Sequence, residues 1–243
     1  MTSPGHDESS EQTLSVQMSI GGGPGGLIHQ PIHESLTLSA LISAGAGVPL
    51  GTTVAHATNA DLEYIRGVVW NDDPDCLLFN ERKEGNHTYS TAGTWALRYK
   101  QGESEWTVPL ASDRLRNVTG RSHYGDLQFL HSMAFESGEQ PAETKRKIMV
   151  WLEVMYKLAN GEDGITPETA IGTTKLAEFC PVLSVPPSFK SLSYLLSKDS
   201  PFTGLDVRRR ALGSMLHIIQ DSYALGHTKR TLLNPQDKQS DSE

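Results

Sequence analysis

Apolar side chains recur at helical spacing along several stretches of this chain, most regularly from about Ala142 to Leu158. There Ile148, Trp151, Leu152, Met155 and Leu158 fall three or four residues apart, which lines them along one helix face and predicts a core stripe. A second stripe, Leu212, Met215, Leu216, Ile218, Ile219 and Leu225, predicts a helix over about 205 to 225. Apolar positions 36, 38, 41 and 42 predict a short helix stopped by Gly45 and Gly47, with His33 at its first turn. Asn59 is the predicted N-cap of a further helix through Trp70, which Asn71-Asp72-Asp73-Pro74 ends, leaving Asp72 at its C-terminal edge. A short helix is predicted at 190 to 197.

Residues 86 to 122 break this pattern. Tyr89, Thr94, Trp95, Leu97, Tyr99, Trp106, Thr107 and Val108, with Gln101-Gly102 between them, predict a short hairpin or irregular loop inserted into a helical chain. The predicted fold class is therefore mainly α with a small irregular or β-like insertion. One domain over 27–230 is expected, led by a flexible segment 1–26 and followed by a flexible tail 231–243. The run Gly21 to Gly26 reads as part of that lead-in, because no Gly-Lys-Ser/Thr follows it to make a phosphate-binding loop.

Inside the last stripe stands the most telling polar pattern, His217-x3-Asp221-x5-His227. Four residues apart on a helix, His217 and Asp221 share a face and can bind one cation, while His227 follows Gly226, where the helix is expected to end. A buried imidazole and carboxylate need a partner, and a metal ion is an economical one. The plainer reading is a core histidine bonded to an aspartate one turn away, with His227 as an ordinary cation at a helix end.

The 243 residues carry a formal net charge of -8, which argues against a broad electrostatic footprint for nucleic acid, so any polyanion must be held locally. Two cysteines, Cys76 and Cys180, allow one disulfide at most and cannot build a thiolate zinc site; they read as reduced thiols. The N-terminus is polar and acidic without an apolar signal-like core, and no apolar run approaches membrane-spanning length.

Further candidates lie upstream: His33, Asp72, and a histidine ahead of the long amphipathic helix. For that last position His131 is preferred, since Phe129 and Leu130 draw it inward; His123, beside Tyr124-Gly125-Asp126, and His87 are its rivals. Taken in order, His33, Asp72, His131, His217, Asp221 and His227 resemble the ligand set of the zinc-dependent phospholipase C and single-strand-specific zinc nuclease superfamily. His33-Glu34-Ser35-Leu36 resembles the His-Glu-Thr-Val of the nuclease branch, and Trp70-Asn71-Asp72 resembles its Trp-Ala-Asp.

The resemblance covers roughly residues 27 to 230. It implies two neighbouring zinc ions bridged by Asp221, one held by Asp72, His131 and His217 and the other by His33, with His227 assigned to a third. Where that family uses its N-terminal amino group, His29 is the substitute here, and no histidine follows His227 to complete the third site. The activity implied is hydrolysis of a glycerophospholipid to diacylglycerol and a phosphorylated head group, with Asp72 orienting the attacking water. Contact with a bilayer would be transient, without stable insertion. The alternatives are single-strand-specific nuclease activity, or an inactive fragment or metal-stabilised interaction module lacking the third-zinc ligands.

Overall fold

The computed structural model describes residues 32–77, 92–107, 117–136, 138–179, 190–197, 205–224 and 227. The lead-in segment, the C-terminal tail, His29, His87 and Cys180 lie outside the described residues. Among those described the architecture is helical, with one isolated antiparallel bridge, between Ala170 and Ser191. In chain order the helices are α1 (Ile32–Ser43), α2 (Asn59–Trp70), α3 (Ala92–Thr107), α4 (Val118–Tyr124), α5 (Pro141–Asn160), α6 (Leu176–Phe179), α7 (Leu192–Ser197) and α8 (Val207–Asp221). No helix among the described residues is long and apolar enough to cross a membrane.

Local chemistry explains where these helices start and stop. α1 ends in a turn where Gly45 and Gly47 take φ of +66° and +82°, left-handed values that a side chain resists. α5 opens on Pro141, which needs no backbone donor there, and closes on Gly161, whose N–H bonds the Lys157 carbonyl. Asp206 caps α8 by accepting the Arg208 and Arg209 amides. The cap of α2 is Thr58 rather than Asn59: Thr58 Oγ1 accepts the Asp61 amide, and its hydroxyl donates to Asp61 Oδ2 at 2.6 Å. α8 ends at Asp221, short of the predicted residue 225.

The predicted hairpin or loop over 86 to 122 is corrected. Its described part is helical, forming α3 and most of α4. Tertiary packing outweighs local β-preference there: Trp95 buries its ring beside Leu38, Leu41 and Ile65, and its indole N–H donates to the Asp72 carbonyl at 2.9 Å. Gly102 of α3 meets Gly120 of α4 so closely that a Cβ on Gly102 would lie 2.3 Å from the Gly120 Cα. Two glycines thus let the helices touch along their backbones.

Two apolar clusters flank α2. One gathers Trp70, Phe129, Trp151, Met155, Leu158, Leu196 and Ile218; the other holds Leu38, Leu41, Leu62, Ile65, Val68 and Trp95. The predicted stripe on α5 faces the first, with Trp151, Met155 and Leu158 fully buried and Ile148 and Leu152 packed at its edge. α2 crosses α8 where both lack side chains: a Cβ on Gly67 would lie 2.3 Å from the Arg210 carbonyl oxygen, and one on Gly213 2.3 Å from that of Tyr64. That close crossing brings the end of α2 against His217, one turn past Gly213.

Candidate metal centre

Four separate parts of the chain deliver polar side chains to one buried place. α1 brings His33, the turn after α2 brings Asp72, the turn after α4 brings His131, and α8 brings His217 and Asp221. All five are buried, and His217 is completely so. Asp221 lies at the centre. Its Oδ2 is 2.9 Å from His131 Nδ1, 3.0 Å from His217 Nε2 and 3.2 Å from His227 Nδ1, while its Oδ1 is 3.4 Å from His33 Nε2. His227 is the most open member, its side chain about a third exposed.

Outer partners fix several of these rings. His217 Nδ1 lies 2.7 Å from the Val68 carbonyl in the last turn of α2. A carbonyl can only accept, so Nδ1 carries a proton there, and Nε2 is left to face Asp221. His33 Nδ1 lies 2.6 Å from Gln220 Oε1, and the Gln220 amide donates in turn to Thr37 Oγ1, which sets its orientation. The His33 and His217 rings stack with centroids 4.3 Å apart. His131 is held through its neighbours. Asn71 donates to the Leu130 carbonyl at 2.8 Å, and Ser132, at a left-handed φ of 57°, donates its hydroxyl to the Ile218 carbonyl.

Charge couples the group. Burial pushes the Asp72 carboxyl upward, but His217 and then His123, His131 and His33 hold it well below the usual carboxylate range. Asp221 is likewise depressed: burial works against ionisation, and His217, His131 and His227 outweigh it. Burial lowers His217 as well, yet Asp221 and Asp72 raise it to about 9, whereas burial prevails at His131 and takes it down to about 4. Without a bound cation, one imidazolium therefore offsets part of the two carboxylates' charge.

Among the described residues three sets of side chains are compact enough to hold a metal ion, each residue offering a ligand atom within 4.8 Å of the others: His33, Asp72 and His217; Asp72, His123 and His131; and His131, Asp221 and His227. All six residues of the predicted set converge here. His33 meets both carboxylates, lying with Asp72 and His217 in one set while its Nε2 reaches Asp221 Oδ1. His123, treated as a rival of His131, stands beside it, with the two ring centroids 4.9 Å apart. The neighbouring Tyr124-Gly125-Asp126 was the signal for it. Gln220 and Trp95 had no such signal, since their roles depend on contacts with residues far away in sequence.

Comparison of the chain with protein-family models, with curated proteins and with solved structures returned no match.

Proposed function

We propose that this chain is a metal-dependent phosphodiesterase of the phospholipase C type, cleaving a glycerophospholipid to diacylglycerol and a phosphorylated head group. The observation that carries the reading is the convergence on Asp221 of four imidazoles from separate segments, an arrangement of nitrogen and carboxylate donors without thiolate. Such donors suit zinc in a site that keeps a position open for substrate. His33, Asp72, His217 and Asp221, with His131 and His227, are the residues to hold two such ions. Bound there, divalent cations supply positive charge against the phosphoryl oxygens and make a nearby water more acidic.

The chain's own groups do the rest. Asp72, kept ionised by the surrounding imidazoles, orients the attacking water through a carboxylate oxygen. The water oxygen bonds to phosphorus, the bond from phosphorus to the glycerol oxygen breaks, and the proton lost by the water goes to the departing alkoxide. Trp95 keeps Asp72 in place through its backbone carbonyl. Preference for a phospholipid over a nucleic acid is supported by the net charge of -8 and by exposed Leu36, Ile219 and Tyr223, which lie on or next to the helices bearing His33 and Asp221.

The test compares phosphatidylcholine vesicles with single-stranded DNA as substrates for the zinc-loaded and chelator-treated protein. Release of phosphorylated head group that needs zinc is expected. Zinc-dependent cleavage of DNA alone would move the assignment to the nuclease branch, and inactivity on both would leave a metal-stabilised interaction module.

A further inference from the structure

His123 and His131 share a property that none of the other rings described at this centre has. The Nε2 atom of each is buried and has no hydrogen-bond partner. In a folded interior such an atom is costly unless something absent from the polypeptide meets it. Partners on the far side of each ring set which atom is left over. His123 Nδ1 lies 2.8 Å from the Thr119 carbonyl, so it carries the proton and Nε2 presents a lone pair. His131 Nδ1 lies 2.9 Å from Asp221 Oδ2, and donation to that carboxylate leaves its Nε2 a lone pair as well.

Asp72 completes the arrangement. Its Oδ1 is 3.7 Å from His123 Nε2, too far for a hydrogen bond, yet the three residues offer ligand atoms within 4.8 Å of one another. Two lone pairs and an anionic oxygen turned toward one another without protons between them describe a place for a cation. We infer that Asp72, His123 and His131 form a cation site of their own, in which both histidines bind through Nε2 and Asp221 positions His131 from behind. Asp221 is then the carboxylate of a carboxylate–histidine–metal arrangement for this ion, fixing the ring and raising its basicity. Two imidazoles and one carboxylate match zinc and similar borderline ions and leave coordination positions open. The site rests on the reading of the region as a metal centre and adds a seventh residue, His123, to the six drawn from the sequence.

Membership makes the sites separable by mutation. His123 belongs to this set alone, His33 only to the set with Asp72 and His217, and His227 only to the set with Asp221. The full chain, stripped with chelator, is reloaded with zinc, passed over a desalting column and assayed for metal by elemental analysis. His123→Ala and His123→Gln are each expected to lose one zinc per chain relative to wild type, while His33→Ala loses a different one and the double variant loses both. Cobalt(II) gives a second readout: the visible band lost in His123→Gln should survive in His33→Ala. Circular dichroism and thermal melts of the stripped proteins check that the variants fold alike. If both His123 variants keep the wild-type zinc count and cobalt spectrum while His33→Ala loses metal, the centre stands and this site is overturned. If wild type takes up no zinc, both readings fail.

Discussion

Two of the clusters of charge buried among the described residues are built on opposite principles. At one end of the α2–α8 contact, Glu63 receives Arg66 Nη1 at 2.5 Å and Arg210 Nε at 2.7 Å, and Arg210 also donates to the Leu196 carbonyl. The Asp206 amide supports the same carboxylate. Both guanidiniums there meet a carboxylate of the chain. At the other end of the same contact, two carboxylates lie among histidines, His131 and His217 facing Asp221 at 2.9 and 3.0 Å, and two buried Nε2 atoms are left without hydrogen-bond partners. A cluster that closes on itself holds helices in register; one that leaves lone pairs facing inward is shaped for a cation from outside.

The largest expected effect separates the two. Asp221→Asn removes the one carboxylate that four imidazoles surround, so zinc uptake and any zinc-dependent phosphodiester cleavage should fall to background. Elemental analysis and head-group release measure this, and wild-type values for both would refute the central role of Asp221. Breaking the other cluster should do the reverse. Arg210→Met leaves Glu63 without its bidentate partner and should cost about 3–5 kcal/mol in urea unfolding, while protein that remains folded still takes up zinc. A loss of metal without a loss of stability would show that the two clusters are not independent.

A smaller effect is expected at the second layer. Gln220→Ala frees His33 to rotate and should weaken zinc binding about 10–100-fold by competition with a chelating dye, with little change in the unfolding of the metal-free protein.

The smallest is a pH dependence confined to the metal-free centre. His131, held down to about 4, stays neutral when folded but takes a proton when unfolded, so stability should fall as pH drops from about 6.5 toward 4. His217, held up to about 9, keeps a proton that the unfolded chain gives away, so stability should also fall as pH rises from about 6.5 through 9. Urea midpoints in chelator should peak near the point where the two slopes meet. A single monotonic slope across both ranges would mean that one assignment is wrong.

The sequence was most legible where the signal is local. The spacing of apolar residues in α5, the Asn71-Asp72-Asp73-Pro74 stop after α2 and the glycines after α1 each act within a few residues, and the structure has helices at those places. It was least legible in α3, where threonine, tyrosine and tryptophan suggested strands. Burial of Trp95 against α1 and α2, and the Gly102–Gly120 contact, decided for a helix instead. Neither contact can be seen in the residues of α3 themselves.

The same division runs through the centre. By itself the sequence determined that His217 and Asp221 share a helix face, because four residues is close to one helical turn, and that Phe129 and Leu130 draw His131 inward. Which rings meet was decided by tertiary structure. Gly67 and Gly213 let α2 and α8 approach until Val68 orients His217, Gln220 reaches back to His33 on α1, and the turn after α4 sets His123 and His131 side by side instead of choosing between them. Periodicity fixes the direction of a side chain relative to its own helix, whereas meeting across 86 or 187 positions depends on how closely whole helices can pack.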